Sequence, residues 1–328
     1  MDEKPRIAVP LGDPNGIGPE IALKAALDAS VRAVACPVLV GDPAVIAGYA
    51  TSLGCTGELD ALVEDGALAI DALDALGGPP DPGALTAQAG RAAIAYVRRA
   101  IALAAGGEVA AVVAGPHNET AVALAGIAFT GYPGLLAGET GVAPAEVFLM
   151  LVSPRFRVVH VTLHMALRAA LDAITQERVL GAARAADRAL KRLGIAKPRL
   201  AACGINPHAG EGGLFGGEDD AVVRPAVEAA RAEGISIDGP AGADLLFAQG
   251  RHDAYLAMYH DQGHIPVKIQ GRDNSFGMSI GTPVLFSTVA HGSAHDIAGR
   301  GTADPQALIG TIRQMAEALT QEPPHPGS

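Results

Sequence analysis

Short apolar runs alternate with longer helical patterns along most of the 328-residue chain. The short runs are rich in Val, Ile and Leu and mostly lack polar–apolar alternation, which is typical of strands buried on both faces. Eight predicted strands lie at 7–11, 37–41, 109–115, 147–152, 157–163, 200–205, 254–259 and 284–289. Predicted helices lie at 19–29, 88–105, 176–193, 219–233, 242–249 and 305–319, with Thr175 and Asp304 as N-caps and Gly194 and Gly234 as C-terminal stops. This order predicts an α/β fold with a mostly parallel sheet and helices on both faces.

Composition excludes several classes of protein. Hydrophobic residues make up 49% of the chain and charged residues 18%, which indicates a globular protein. The formal net charge of −11 argues against nucleic acid as a partner. The most apolar uncharged window, 120–138, is interrupted by Gly and Pro, so we expect no membrane helix. The N-terminus lacks a signal-peptide pattern, and three widely spaced cysteines predict buried thiols in a reducing cytoplasm.

Residues 259–268 (YHDQGHIPVK) contain two histidines, a carboxylate, an amide and a lysine directly after the apolar run 255–258. We interpret this segment as a site at the end of a buried strand, with Gly263 allowing a sharp turn. The alternative is a surface loop that holds these residues by chance.

Histidines follow three of the predicted strands, at His164, His208 and His260. In an open α/β sheet the carboxyl ends of the strands line the ligand crevice, and three imidazoles there suit zinc or another divalent first-row ion. Isolated core histidines bonded to carbonyls are the alternative. His160 lies on the same predicted strand face as His164, and we expect it to have a supporting role.

Two glycine-rich segments, 12–20 and 291–301, each follow a predicted strand. Their small residues would let backbone groups approach a cofactor closely. Gly16-Ile17-Gly18 is only a fragment of the dinucleotide-binding fingerprint, and tight turns would explain both segments equally well.

Asp244 and Lys268 complete a possible set of proton-handling residues. A carboxylate or an ammonium near a bound hydroxyl can act as a general base or acid. Asp244 as a simple carboxylate at a helix N-terminus is the alternative.

Four motifs occur in an order that resembles the 4-hydroxythreonine-4-phosphate dehydrogenase family, and the resemblance runs from about residue 6 to about residue 318. They are GDPNGIGPE at 12–20, GINPHAGE at 204–211, MYHDQG at 258–263 and HGSA at 291–294. The segment 291–301 also resembles the adenosine-binding loop of isopropylmalate dehydrogenases.

The resemblance implies a two-domain isocitrate/isopropylmalate dehydrogenase-like fold, with NAD or NADP bound outside a Rossmann domain. Residues 1–135 with 285–328 would form the cofactor-side domain, and residues 136–284 the metal, substrate and dimerisation domain. A homodimer would hold a divalent ion (zinc, or else magnesium, manganese or cobalt) through His164 and His208 of one subunit and His260 of the other. Asp244 and Lys268 would lie by the substrate. Cofactor contacts are expected at Gly12, Asp13, His291, Gly292, Ser293, Ala294 and Asp296.

The chain departs from the phosphate-handling members at several substrate positions. Glu119 stands in place of a Lys, and Tyr132-Pro133 in place of His-Thr. Gly277 and Phe286 stand in place of an Asn and an Arg. Each change removes a donor or a cation, and Glu119 adds an anion, which disfavours a phosphate dianion. We therefore expect Glu119, Tyr132, Lys268, Gly277 and Phe286 to contact a substrate that is not phosphorylated.

The same positions resemble the terephthalate dihydrodiol dehydrogenase branch of the family, which shares PHxET, GYP and HDQGHIP segments. That resemblance implies a cytoplasmic, NAD(P)-linked and metal-dependent oxidative decarboxylation of a carboxylated cis-dihydrodiol to a catechol-type product. The alternatives are 4-hydroxythreonine-4-phosphate dehydrogenase itself, which serves pyridoxal phosphate biosynthesis, or a related phosphorylated four-carbon acid dehydrogenase. An acyltransferase or a non-catalytic binding protein of the same architecture is the third hypothesis.

Overall fold

The computed structural model describes residues 4–129, 131–269, 275–289 and 291–320. The strands there are β1 (Arg6–Pro10), β2 (Cys36–Gly41), β3 (Ala69–Ala72), β4 (Ala111–Ala114), β5 (Phe148–Val152), β6 (Arg157–His160), β7 (Arg199–Cys203), β8 (Ser236–Ala241), β9 (Ala254–Ala257), β10 (Phe276–Ile280) and β11 (Phe286–Thr288).

The α-helices of the described residues are α1 (Gly18–Leu27), α2 (Ala29–Val34), α3 (Pro43–Ser52), α4 (Thr56–Glu64), α5 (Ala87–Ala105), α6 (Glu119–Leu124), α7 (Tyr132–Thr140), α8 (Leu167–Ala173), α9 (Gln176–Arg192), α10 (Arg224–Ala232), α11 (Ala243–Gln249), α12 (His260–Ile269) and α13 (Gln306–Thr320). None of these helices is both long enough and apolar enough to span a membrane.

The chain divides into two compact units. The first unit comprises Met1–Thr140 and Pro283–Thr320. Its strands lie in the order β3-β2-β1-β4-β11, and every neighbouring pair is parallel. Its core packs the long helix α5 against β1 and β2, with Tyr132, Leu136 and Phe286 in the same apolar cluster. The carboxyl ends of the adjacent strands β1, β4 and β11 therefore meet at one edge of the sheet.

The second unit comprises Gly141–Thr282. Its strand order is β10-β5-β6-β9-β7-β8. The pairs β6–β9, β9–β7 and β7–β8 are parallel, whereas β5 pairs antiparallel with both β6 and β10. A cluster of three buried rings, Phe156, Phe247 and Tyr255, lies in its core with centroids 4.9–5.7 Å apart. Four adjacent parallel strands thus end at the same edge.

The mostly parallel α/β architecture predicted from the sequence is confirmed, and all eight predicted strands are present. Thr175 caps α9 by accepting from the backbone N–H of Arg178, and Gly194 and Gly234 have φ of 88° and 85° as expected after helix ends. The carboxylate of Asp304 accepts from the N–H of Gln306 at the start of α13.

Several local predictions were wrong. The strand predicted at 157–163 ends at His160, so strand alternation does not place His160 and His164 on one face. The helix predicted over 219–233 begins with a wider π-type turn at Asp219–Val223 before α10. Of the three thiols predicted to be buried, only Cys203 is; Cys36 and Cys55 are partly exposed.

Gly263 lies inside α12 and does not form the sharp turn predicted for it. A Cβ atom at this position would lie 2.3 Å from Nε2 of His160 on β6 and 2.9 Å from Cβ of Ala257 on β9. Glycine is therefore required because the helix approaches the sheet too closely for any side chain.

We predict that Gly263→Ala lowers the free energy of unfolding by about 1–3 kcal/mol, because the added methyl group overpacks a buried contact. Chemical denaturation of the purified protein measures this change. Gly310→Ala is the matched control, since Gly310 also lies within a helix but a Cβ there meets no atom within 4 Å. The control should be neutral or stabilising by up to about 1 kcal/mol. Equal stabilities of the two variants would contradict this account of α12.

Candidate functional site

Four of the predicted site residues follow four adjacent parallel strands of the second unit. His164 follows β6, His260 begins α12 after β9, His208 follows β7, and Asp244 lies in the first turn of α11 after β8. Parallel strands that are neighbours place their carboxyl ends at one edge, where open α/β sheets bind ligands. His164, His208 and Asp244 are exposed to solvent, and His260 is partly exposed. Their side chains are accessible to a ligand at this edge.

The structure brings His164 and His260 together, with ring centroids 5.6 Å apart. The His208 ring instead lies 6.0 Å from that of Phe215. Across the described part of the chain, no three His, Cys, Asp or Glu side chains are arranged to hold a metal ion. A three-histidine site would therefore need a ligand from a second copy of the chain.

The tautomer of His260 is set by its neighbour Asp261. The Nδ1 atom of His260 lies 2.7 Å from Oδ1 of Asp261, so the ring proton is assigned to Nδ1. Nε2 then keeps its lone pair. A carboxylate that orients a histidine in this way is the usual outer partner of a metal-ligating imidazole. Asp261 lies beside His260 in the sequence, but only the folded geometry indicates its role.

His160 and His264 form a second, inner pair. His264 Nδ1 lies 3.0 Å from His160 Nε2 and 3.2 Å from the carbonyl oxygen of His260, while His160 Nδ1 lies 3.3 Å from the carbonyl of Leu149. Burial and the neighbouring histidine ring lower the pKa of His160 to about 3, and burial with the nearby His260 lowers that of His264 to about 4. Both rings are therefore neutral near pH 7. The His264 ring stacks on His260 at 3.8 Å, which restricts its orientation.

The turn that carries His208 is held by a buried carboxylate that sequence reasoning missed. Asp219 is fully buried and accepts hydrogen bonds from the backbone N–H groups of Ile205 (2.7 Å) and Asn206 (3.0 Å). His208 itself has φ of 54°, in the left-handed region that costs a non-glycine residue energy. Because Asp219 lies more than ten positions along the chain from its partners, local sequence gave no signal for this contact.

Lys268 and Gly277, two further predicted site residues, also belong to the second unit. Lys268 is exposed in the last turn of α12. Gly277 lies within β10, and a Cβ there would lie 3.2 Å from Cδ1 of Leu149 on the neighbouring strand. Its lack of a side chain leaves room for Leu149.

In the first unit, the loop after β1 and the loop after β11 are in direct contact. The N–H of Ile17 donates to the carbonyl of Ser293 at 2.9 Å, and a Cβ on Gly16 would lie 2.6 Å from that same oxygen. Gly12 has φ of 75°, and a Cβ there would lie 2.2 Å from the carbonyl of Pro116. The glycines are therefore needed for the close approach of these backbone segments to one another.

The buried carboxylate of Asp13 lies between these two loops. Asp13 is fully buried, accepts from the N–H of Asn15, and has Oδ2 3.2 Å from Nε2 of His295. Burial raises the pKa of Asp13, while the Asn15 N–H and the His295 ring act in the opposite direction. The other ring nitrogen of His295 lies 3.2 Å from Oγ of Ser293. His295 thus connects two of the predicted cofactor residues and was not itself predicted from the sequence.

An open cavity of about 510 Å³ adjoins the same loops. Its lining residues are Ile17, His291, Gly292, Ala294, Asp304 and Ala307. Three of these are predicted cofactor residues, and the exposed Asp296 lies two positions beyond Ala294.

The predicted substrate residues of the first unit adjoin a group of aromatic rings. Tyr132, at the start of α7, has its ring centroid 4.8 Å from that of His117 and 4.8 Å from that of Phe286. Burial raises the pKa of the Tyr132 hydroxyl and lowers that of His117, so both are neutral near pH 7. Phe286 is only 1% exposed and lies behind Tyr132 in the core. Glu119 is exposed in the first turn of α6, two residues from His117.

Comparison with known proteins places the chain within one enzyme family. A sequence profile described as "Pyridoxal phosphate biosynthetic protein PdxA" matches residues 33–315. The chain is 47% identical to a 1,2-dihydroxy-3,5-cyclohexadiene-1,4-dicarboxylate dehydrogenase from Comamonas sp., over 94% of this chain and 96% of that protein.

Solved structures agree with this assignment. A 4-hydroxythreonine-4-phosphate dehydrogenase from Burkholderia phymatum superposes with a TM-score of 0.88 at 36% identity, covering 97% of this chain and 99% of the other. A terephthalate 1,2-cis-dihydrodiol dehydrogenase from Burkholderia xenovorans LB400 gives 0.73 at 41% identity, covering 97% and 98%.

These relatives are dehydrogenases, which excludes the acyltransferase and binding-protein hypothesis. The chain is an oxidoreductase that acts on a CH–OH group, and it belongs to the PdxA family of pyridoxal phosphate biosynthetic proteins.

Proposed function

We propose that this enzyme is a metal-dependent, NAD(P)-linked dehydrogenase that oxidises and decarboxylates a carboxylated cis-dihydrodiol of the terephthalate dihydrodiol type. The product would be a catechol-type aromatic ring. The observation that carries this proposal is the exposed Glu119 close in sequence to the partly exposed, neutral ring of His117, which packs against the buried rings of Tyr132 and, behind it, Phe286.

This combination disfavours a phosphate group and suits a flat ring. A phosphate dianion is bound through cations and charge-assisted hydrogen bonds, whereas Glu119 brings a negative charge. The partly exposed ring of His117 can pack against the face or edge of a substrate ring. The similarity to the Comamonas enzyme supports the same substrate class.

The donor set of the second unit suits a divalent ion. Three exposed or partly exposed imidazoles, His164, His208 and His260, would hold it, and the bond from His260 to Asp261 leaves Nε2 available as a ligand atom. Imidazole nitrogen favours zinc, with cobalt, manganese or magnesium as other candidates. When bound, the ion supplies Lewis-acid stabilisation of negative charge on the substrate oxygen atoms.

The side chains of the chain would handle the protons and the carboxylates. Asp244 would accept the proton of the hydroxyl group as hydride leaves the adjacent carbon for the nicotinamide of NAD or NADP. The carboxylate of the resulting β-keto acid would then leave as carbon dioxide, and its bonding electrons would remain in the ring, which becomes aromatic. Lys268 would pair with a substrate carboxylate and orient it.

The cofactor would bind in the first unit. Gly12 and Gly16 let the loops pack closely, the exposed Gly292 leaves backbone accessible, and the 510 Å³ cavity beside Ile17 and Ala294 has room for part of a dinucleotide. The remaining predicted contacts are Asp13, His291, Ser293 and Asp296. Asp13 and Ser293 are buried and would shape the loops, while His291 and Asp296 are exposed to solvent.

A homodimer is supported by the position of the exposed apolar side chains. Of the eleven large ones in the described parts of the chain, eight belong to the second unit. They are Met165, Leu167, Leu171, Leu214, Phe215, Leu245, Ile265 and Ile269. Several are close in sequence to His164, His208, Asp244 or His264. Such a surface is typical of a protein interface, and a second copy of the chain covering it would also bring its own histidines.

The second candidate function is oxidation of 4-hydroxythreonine 4-phosphate or a related phosphorylated four-carbon acid. The similarity to the B. phymatum enzyme favours it. Both functions share the metal, the cofactor and the β-hydroxy acid chemistry, so the substrate distinguishes them.

We predict that purified enzyme with added zinc and NAD or NADP forms reduced cofactor with a carboxylated cis-dihydrodiol. Initial rates should be far lower with 4-hydroxythreonine 4-phosphate, because Glu119 repels its phosphate. The absorbance of the reduced nicotinamide measures the initial rate with each of the two substrates. Turnover of the phosphorylated substrate alone would overturn the proposal and establish the second candidate.

Glu119→Lys tests the residue behind this preference. By the same charge argument, it should raise kcat/KM for 4-hydroxythreonine 4-phosphate by about 10- to 100-fold, because a cation replaces the anion that repels the phosphate. Glu108→Lys makes the same change of charge at an exposed position between α5 and β4, and it should retain wild-type kinetics.

We further predict that His208→Ala abolishes activity and reduces the bound divalent ion, because one of three ligands is lost. Elemental analysis of the purified protein measures the metal content. His252→Ala is the control, since His252 pairs with Asp238 on β8 and is not in the proposed ligand set. Unchanged metal content in His208→Ala would refute the ligand assignment.

A further inference from the structure

Gln262, in the first turn of α12, is hydrogen-bonded at both ends of its amide. Its Oε1 accepts from the backbone N–H of Met258 at 2.7 Å, and its Nε2 donates to the backbone carbonyl of Gly204 at 2.7 Å. Met258 follows the end of β9, and Gly204 follows the end of β7. One side chain therefore connects two neighbouring strand ends.

This connection continues the sheet beyond its last paired residues. The parallel pairing of β7 with β9 ends at Ala202 and Leu256. Gly204 and Met258 each lie two residues further on, in the same relative register. Within the described residues, the β7–β9 pairing stops before Gly204 and Met258. The Gln262 side chain therefore joins these two segments.

The third strand end is attached to the same residue. Thr162 is fully buried, and its Oγ1 donates to the carbonyl of Met258 at 2.7 Å. Its backbone N–H lies 3.2 Å from the same oxygen. Met258 is thus held on its N–H by Gln262 and on its carbonyl by Thr162, so the ends of β6, β9 and β7 are linked through one backbone unit.

Each linked segment leads directly to a proposed metal ligand. Thr162 precedes His164 by two residues, Met258 precedes His260 by two, and Gly204 precedes His208 by four. We propose that Gln262 is a positioning residue, which fixes the ends of β7 and β9 and thereby the places at which His208 and His260 present their imidazoles, each to the divalent ion that it binds. Thr162 does the same for His164. The inference rests on the proposed assignment of these histidines as metal ligands.

Both hydrogen bonds require the amide group of Gln262, because its oxygen accepts one and its nitrogen donates the other. Gln262→Glu is nearly isosteric and can still accept from Met258, but it places a carboxylate oxygen against the carbonyl of Gly204. Gln262→Met preserves the shape and removes both bonds. Changes of this kind in the residues that orient ligands typically weaken metal binding by about 10- to 100-fold.

The test is titration of chelator-treated enzyme with cobalt(II), whose visible absorption reports the geometry of its ligands. Wild-type protein, Gln262→Glu, Gln262→Met and the matched control Gln249→Glu, at an exposed position at the end of α11, are compared. We expect the two Gln262 variants to bind cobalt(II) about 10- to 100-fold more weakly and with an altered spectrum. The control should match the wild type.

Thr162 provides a second, independent pair of variants if substitution at Gln262 prevents folding. Thr162→Val removes the hydroxyl and should weaken cobalt(II) binding, whereas Thr162→Ser retains the hydroxyl and should restore it. Wild-type affinity and spectrum in the folded Gln262 variants, or in Thr162→Val where those do not fold, would overturn the inference alone. A wild-type protein that binds no cobalt(II) would overturn the metal assignment, and the positioning role with it.

Discussion

The parallel pairing of β6, β9, β7 and β8 is the constraint on which the candidate site depends. Parallel neighbours end at the same edge of a sheet, so residues that are far apart in sequence reach one place without any local motif. His164, His260, His208 and Asp244 follow these four strands in turn. The antiparallel strand β5 lies on the other side of β6 and contributes none of them.

Burial and hydrogen bonding then determine the state of the inner imidazoles and the orientation of His260. The inner rings of His160 and His264 are held neutral by desolvation, and Asp261 orients His260 from the solvent side. Neutral imidazole is the form that binds a metal ion, and the two neutral inner rings add no positive charge beside the proposed ligands. In the first unit Glu119 is the charged residue beside the neutral rings of His117 and Tyr132. The negative charge of Glu119 is the physical basis of the proposal that the substrate is not phosphorylated.

The sequence was sufficient to predict the architecture because buried strands have continuous apolar runs. It missed β3, whose residues are partly exposed, and β8, which contains a Gly-Pro pair that argues against a strand. It missed β10 as well. It also missed helix α12. Gly263 and Pro266 disfavour a helix locally, and only the close contact with His160 explains the glycine.

The candidate ligands were predictable from their positions after apolar runs, but the residues that hold them were not. Asp219, Gln262 and Thr162 act on backbone groups that are distant in the chain, and these contacts exist only after the strands have paired.

The central claim, that two copies of the chain share each three-histidine site, is tested most directly by a mixed dimer. His208→Ala and His260→Ala subunits carrying different affinity tags would be co-expressed and the heterodimer purified with zinc present. If each site takes His164 and His208 from one subunit and His260 from the other, one site of the heterodimer is intact, and activity should be about half that of the wild-type dimer. If all three histidines of a site come from one subunit, both sites are damaged. An inactive heterodimer would therefore contradict the account.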